Sequence, residues 1–116
     1  PRHLIEEIKA IIRRTTNRFK FILDDLQYPY EIDRRHPFVV TYLKTARRMG
    51  YKTIPKGSEG ATVITFFRKY GIPAFATGYA SRGTAHTTDE YVTIDNLYQG
   101  AKLLETFLKE YDQKIR

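Results

Sequence analysis

The stretch from Gly57 to Tyr91 constrains the fold most strongly, because it contains apolar segments that alternate with polar loops. Its order is a glycine-bearing loop, apolar residues at helical spacing, an apolar run from Ile72 to Thr77, and a polar loop around His86. We interpret these parts as loop, helix, strand and loop. In open α/β sheets, ligands bind outside the carboxyl ends of strands. The two loops are therefore the expected functional site.

Three more segments have apolar residues at helical spacing. They cover residues 4–14, 37–49 and 94–111. Pro37 is tolerated in the first turn of a helix, and Gly50 suits the left-handed position that follows a helix end. We therefore predict helices over all three segments.

The last of these helices is predicted to follow Thr93, because a threonine hydroxyl can cap the first turn and Asp95 is favourably placed within it. The apolar stripe of this helix is formed by Leu97, Ala101, Leu104 and Leu108. We interpret that stripe as the apolar side of an amphipathic helix.

Short strands are predicted between the helices. Apolar and polar residues alternate from Phe19 to Leu23, which is typical of a half-buried strand. Residues 51–56 form a second short strand, and Ile72–Thr77 form a buried one. Because helices and strands alternate with short joints, we expect an α/β fold with a layered sheet.

Composition limits the setting in which the chain works. The 116 residues are enough for one ordinary domain, and 41% of them are hydrophobic. The chain has no cysteine, which excludes disulfides and thiolate metal sites and fits a cytoplasmic location. No apolar run approaches the roughly 20 residues that span a bilayer, so we expect no membrane partner.

The chain is basic, with a formal net charge of +7, and much of the excess lies in its N-terminal half. Arg13, Arg14, Arg18 and Arg34 could form a face that contacts RNA or an acidic protein, as in a small basic α/β binding module. A solvated or partner-facing surface explains the same charge. No recognised nucleic-acid motif accompanies it, so we favour the second interpretation.

The histidines differ in their sequence contexts. His36 adjoins Pro37 in a segment without apolar periodicity, and we interpret it as a capping or surface residue. His86 follows a predicted strand and precedes Asp89 and Glu90. A hydrolytic zinc site takes three protein ligands and a water, but these residues match no local zinc motif. If His86 binds a metal, we expect the other ligands to come from elsewhere.

The loop of residues 57–62 admits two interpretations. Ser58 precedes the predicted helix and can act as its N-cap. Alternatively, the backbone N–H groups at the helix start bind an anionic or polarised substrate oxygen. The loop is not a phosphate loop, because it lacks the Gly-Lys-Ser/Thr ending.

Three motifs resemble the zinc-dependent amidohydrolase and peptidase family that includes acetylornithine deacetylase, succinyl-diaminopimelate desuccinylase, aminoacylase and certain carboxypeptidases. PYEID with the following HP, over residues 29–37, resembles the return from the family's lid domain to its catalytic domain. SEGAT at 58–62 is similar to the family's substrate loop, and GTAHTTDEYV at 83–92 resembles its final metal-ligand motif. The third match is the most specific in order and spacing.

The resemblance implies a role for each part of the chain. Residues 1–28 would be the remnant of a lid domain, and residues 29–116 the C-terminal part of an α/β/α catalytic domain. His86 would be the last ligand of a site for two zinc ions, with cobalt or manganese as alternatives. The substrate loop would include Ser58, Glu59, Gly60 and Thr62, although Glu59 and Ala61 depart from the family's Gly-Gly-Thr.

The implied function is hydrolysis of the amide bond in N-acyl amino acids or small peptides. Because the family's other ligands lie upstream of the segments matched here, we expect this chain to be a piece of a longer enzyme and to be inactive alone. Its expected partners are the remaining N-terminal part, the small-molecule substrate and, as an open alternative, a second copy in a homodimer.

Overall fold

A computed structural model describes residues 2–58, 62–79, 81 and 83–116 of the chain. These residues contain four helices: α1 (Arg2–Thr15), α2 (Pro37–Arg48), α3 (Ile64–Lys69) and α4 (Ile94–Ile115). The chain divides into two compact units, Pro1–Tyr30 and Glu31–Arg116. In the described part, no helix has both the length and the apolar character needed to cross a membrane.

The first unit consists of α1 and an irregular segment that follows it. No residue of α1 is fully buried, although Ile5 and Ile12 are less exposed than their neighbours. The Lys9 ammonium lies 5.2 Å from the ring centroid of Phe21, a cation–π distance, and 2.9 Å from Glu6. The irregular segment therefore contacts α1 at Phe21 and forms no strand in its described residues.

The second unit begins with α2, whose ends follow from its sequence. His36 is the N-cap, and its Nδ1 accepts a hydrogen bond from the backbone N–H of Phe38 at 3.2 Å. Pro37 occupies the first helical turn, where its missing N–H costs nothing. At the other end, Gly50 has a φ of +84° and Tyr51 N–H donates to the Ala46 carbonyl at 2.9 Å. This hydrogen bond and the positive φ of Gly50 are those of a Schellman motif, so the predicted glycine end is confirmed.

A glycine ends α3, and a side-chain cap begins α4. Gly71, with a φ of +66°, ends α3 in a second motif of this kind, in which Ile72 N–H donates to the Phe67 carbonyl at 3.0 Å. Thr93 caps α4 by accepting from the Asn96 N–H at 3.1 Å. The helix continues to Ile115, four residues beyond its expected end at Tyr111.

The expected α/β layered fold is wrong, because the described residues form no strand or sheet. The segments predicted as strands, residues 19–23, 51–56 and 72–77, are irregular and form no β-ladder. Alternation and apolar runs indicate which side chains can be buried on a pleated surface. They do not indicate whether a second backbone lies within hydrogen-bonding distance, and a strand exists only when it is paired.

The core of the second unit lies between α2 and α4. Its buried centre is formed by Tyr42, Ala46, Leu103 and Phe107. Phe75, on the irregular segment after α3, packs its ring 4.9 Å from that of Tyr42, and the Phe38 ring lies 5.0 Å from that of Phe107. Both pairs are tilted, and their distances are those of favourable aromatic pairs. An aromatic cluster thus joins the segment after α3 to the helix pair.

Gly100 allows that segment to approach α4 closely. A Cβ atom added at Gly100 would lie 2.4 Å from Cγ of Tyr79, inside the contact distance of two carbon atoms. The Tyr79 ring therefore occupies the space that any other side chain would fill. The sequence contains no signal for this contact, since a glycine inside a helix usually only weakens it.

The apolar stripe predicted for α4 is not the one that the structure buries. Leu97, Leu104 and Leu108 are exposed, whereas Leu103 and Phe107 are buried. α4 therefore has two apolar stripes about a quarter to a third of a turn apart, and helical spacing alone could not identify which of them faces α2.

Candidate functional site

The loop that contains His86 is a series of hydrogen-bonded turns. The Thr84 hydroxyl donates to the Ser81 carbonyl at 2.8 Å, and the Thr87 hydroxyl donates to the Thr84 carbonyl at 2.7 Å. The backbone repeats the pattern, with Glu90 N–H donating to the Thr87 carbonyl at 3.2 Å. Side-chain hydroxyls favour such local bonds over regular structure, so residues 83–90 form turns.

His86 lies at the centre of this loop in an uncommon backbone conformation. Its φ is +61°, and it is the only residue other than glycine with a positive φ in the described ranges. The Glu90 carboxylate accepts a hydrogen bond from the His86 backbone N–H, with an N···Oε2 distance of 3.1 Å. Strained backbone of this kind often occurs at functional sites.

The His86 side chain is exposed, and its imidazole makes no hydrogen bond or ion pair within the part of the chain described here. No three His, Asp or Glu side chains among those residues lie close enough to hold a metal ion together. Asp89 is exposed, and the carboxylate of Glu90 bonds to backbone. The described residues thus offer one imidazole, a donor type that suits zinc, and no complete set of ligands.

The second predicted loop is described only in part. Glu59 and Gly60 lie outside the described residues, and Ser58 is exposed just before them. The interpretation of Ser58 as the cap of the following helix is wrong, because α3 begins after Val63, which makes no side-chain capping bond. Thr62 accepts at its carbonyl from the Thr65 hydroxyl at 3.0 Å, so it supports the start of α3. The assignment of Ser58, Glu59, Gly60 and Thr62 to substrate binding stays a prediction.

His36 has a structural role, as expected. His36 uses its Nδ1 to cap α2, and the cap requires an unprotonated nitrogen at that atom. Its backbone N–H also donates to the Asp33 carbonyl at 2.9 Å. Both contacts fix the start of α2.

A polar network between α2 and α4 was not predicted. The Thr45 hydroxyl lies 2.5 Å from the Glu110 carboxylate, which also pairs with Arg48. Arg48 and then Thr45 lower the pKa of Glu110 below its usual range, because both donate to the charged form. On the same face, Lys114 donates to the buried Thr41 hydroxyl at 2.9 Å. The signal that could have indicated this network is the pair of threonines inside an apolar helix stripe.

A second polar cluster joins the segment after α3 to α2. The Tyr42 hydroxyl lies 2.6 Å from that of Thr77 and 3.4 Å from that of Tyr79. Burial, and then the hydrogen bond with Tyr42, raise the pKa of Tyr79 above its usual range. The cluster gives the buried Tyr42 a partner for its hydroxyl and has no nucleophile with an adjacent base, so we regard it as structural.

Arg34 lies among side chains of both charges. Arg34 and Arg35 line a shallow depression together with Glu31 and Asp33, and Arg35 lies 3.5 Å from the Asp33 carboxylate. In the first unit, Arg13, Arg14 and Arg18 are exposed. Mixed charge at Arg34 gives no support to phosphate binding there.

The chain is similar to known proteins over most of its length. The profile of peptidase family M20/M25/M40 matches residues 10–110, which is most of the chain. A protein of Pyrococcus horikoshii, provisionally named LysW-lysine/LysW-ornithine hydrolase, is 29% identical over 82 residues. The match covers 70% of this chain and 25% of that relative. No solved structure matches.

Proposed function

The chain belongs to peptidase family M20/M25/M40, and on that premise we propose that it is part of a hydrolase that cleaves the amide bond of N-acyl amino acids or small peptides. A hydrolase-type function agrees with the name of the archaeal relative. The chain spans about a quarter of that relative's length, so the activity belongs to a longer polypeptide. The 116-residue chain by itself is expected to be inactive.

The proposal depends on the exposure and the backbone conformation of His86. Its imidazole is exposed and makes no hydrogen bond or ion pair in the described residues, and its backbone has a φ of +61°. A surface histidine without a role does not need a conformation that costs an L-residue about 1 kcal/mol or more. We assign His86 as a metal ligand whose companion ligands are absent from the described residues.

The family is generally metal-dependent. When bound, the metal would polarise the amide carbonyl and lower the pKa of a coordinated water. His86 would supply one imidazole nitrogen to that metal, and zinc suits this donor, with cobalt or manganese as alternatives. The loop of Ser58, Glu59, Gly60 and Thr62 would contact the substrate.

We also propose that the chain contains parts of two domains. Residues 1–28 would belong to a lid domain and residues 29–116 to the catalytic domain. The division of the chain into compact units after Tyr30 is compatible with this assignment.

Substitution of His86 in the longer polypeptide tests the proposal. We expect His86→Ala to lose a bound metal ion, measured by elemental analysis, and to lose amide hydrolysis of acyl-amino acids by at least about a hundredfold. The matched control is His3→Ala, which removes another exposed imidazole, one that pairs with Glu7 at 3.0 Å. Parent-level metal content and activity in His86→Ala would refute the assignment.

A further inference from the structure

The conformation of His86 needs an explanation from its surroundings. A left-handed backbone is unfavourable for an L-residue because Cβ approaches the following carbonyl oxygen. Glycine is the usual residue at such positions, and in this chain Gly50, Gly71 and Gly83 occupy others. His86 has no such freedom, so contacts in the loop must hold it there.

The side chain that contacts the His86 backbone is Glu90. Its Oε2 accepts from the His86 N–H at 3.1 Å, and a charged acceptor strengthens such a bond. Glu90 is itself fixed, because its backbone N–H donates to the Thr87 carbonyl at 3.2 Å. Thr84 and Thr87 hold the neighbouring turns through their own hydroxyls. The Glu90 carboxylate thus closes the loop across the histidine.

We propose that Glu90 is a positioning residue that holds the left-handed backbone of His86 and so fixes the direction in which its imidazole leaves the loop. The proposal rests on the proposed function for its metal-binding consequence, but the backbone contact stands independently of it. In this role Glu90 acts as a hydrogen-bond acceptor toward a main-chain donor. A glutamine, which keeps an acceptor oxygen, should therefore replace it, whereas an alanine should not.

The neighbouring acid provides a matched control. Asp89 is exposed and carries the same charge one residue away, and its side chain makes no hydrogen bond or ion pair within the described part of the loop. Asp89→Ala and Glu90→Ala therefore make the same change in net charge near His86, and only Glu90→Ala removes the acceptor. A difference between the two variants isolates the hydrogen bond from the general electrostatic effect.

The first measurement is NMR of the 116-residue chain, which needs no metal. A left-handed residue has a short distance between its own amide proton and its α-proton, so His86 should give a strong cross-peak between them. We expect that cross-peak to persist in Asp89→Ala and Glu90→Gln and to weaken in Glu90→Ala. The His86 amide should also exchange with solvent about tenfold faster in Glu90→Ala. Unchanged cross-peak and exchange in Glu90→Ala would overturn the proposal.

The second measurement is metal affinity in the longer polypeptide, by competition with a chelator. Loss of a residue that orients a metal ligand typically costs 10–100-fold in affinity. We expect a loss in that range for Glu90→Ala, and values within about threefold of the parent for Glu90→Gln and Asp89→Ala. A Glu90→Gln variant as weak as Glu90→Ala would overturn the acceptor role.

The two proposals can fail separately. If His86→Ala keeps its metal, the proposed function fails, and with it the metal-binding consequence of Glu90, while the NMR result still decides whether Glu90 holds the backbone. If His86→Ala loses its metal but Glu90→Ala matches the parent in both measurements, the positioning role fails and the proposed function stands.

Discussion

The helix pair α2–α4 and the His86 loop belong to the same unit, yet they are held together by opposite means. Between α2 and α4, buried side chains such as Leu103 and Phe107 contact many neighbours at once. In the loop, residues 85–90 are exposed, and the conformation depends on a few local hydrogen bonds. A substitution in the core should therefore change the free energy of unfolding, whereas one in the loop should change local conformation and leave that free energy nearly intact.

The largest expected effect tests which stripe of α4 faces the core. Phe107 is 2% exposed and Leu108, the next residue, is 55% exposed. We expect Phe107→Ala to lower the free energy of unfolding by about 3–5 kcal/mol, because it leaves a cavity among the packed rings. Leu108→Ala, the matched control, should change it by less than about 0.5 kcal/mol. Urea unfolding of the 116-residue chain measures both, and equal losses would show that the stripes are misassigned.

The next effect concerns the close contact of Gly100 with Tyr79. Gly100→Ala should destabilise the chain by roughly 1–3 kcal/mol, because the added methyl overlaps the ring. In a Tyr79→Ala background the same change should stabilise by up to about 1 kcal/mol, since alanine is the better helix former. A double-mutant cycle in urea gives both values. The same sign in the two backgrounds would mean that Tyr79 does not pack there.

Glu110 joins the helices through charge, and its contribution should depend on pH. Because its pKa is lowered by Arg48 and Thr45, its stabilisation is complete above the ordinary value of 4.5 and is lost as pH falls through the lowered pKa. Glu110→Gln should lower the free energy of unfolding by about 1–2 kcal/mol at pH 7 and by progressively less in acid. Glu105→Gln, at an exposed pair with Lys109, is the control and should leave unfolding at pH 7 nearly unchanged. Thermal unfolding followed across pH checks this, and a pH-independent cost for Glu110→Gln would contradict it.

The smallest expected effect separates the structural histidine from the candidate ligand. His36→Ala removes the cap of α2 and should cost about 1 kcal/mol, whereas His36→Asn keeps a capping acceptor and should cost less. His86→Ala in the 116-residue chain should change the free energy of unfolding by no more than about 0.5 kcal/mol. If His86→Ala proves the more damaging of the two in a urea titration, the contrast between core and loop is wrong.

The sequence predicted those features that depend on local chemistry. Helical spacing located the helices within a few residues, and Pro37, Gly50 and Thr93 marked ends that the structure confirms. The capping role of His36 follows from its place before Pro37. In each case the deciding interaction lies within a few residues, so a single stretch of sequence contains it.

The errors concern features that depend on distant partners. The strands expected at residues 19–23, 51–56 and 72–77 need a paired backbone, and the described residues supply none. The choice between the stripes of Leu108 and Phe107 depends on where α2 lies, which periodicity does not encode. Likewise, the contact of Gly100 with Tyr79 links residues that are far apart in sequence.

The candidate site combines both kinds of feature. The motif at residues 83–92 identified His86 and placed Glu90 four residues later. It did not indicate that His86 would adopt a left-handed conformation, because Ala-His-Thr contains no glycine or other turn residue that signals one. Nor did it show that the Glu90 carboxylate would accept from the backbone N–H of His86, since the spacing does not identify the donor.

The most direct test of His86 as a metal ligand is the metal content of the longer polypeptide with and without the His86 imidazole. We expect His86→Ala to bind at least one metal ion fewer per chain than the parent protein and His3→Ala to bind the same number. Equal metal content in the parent and in His86→Ala, with both proteins folded, would contradict the claim that this exposed histidine completes a metal site.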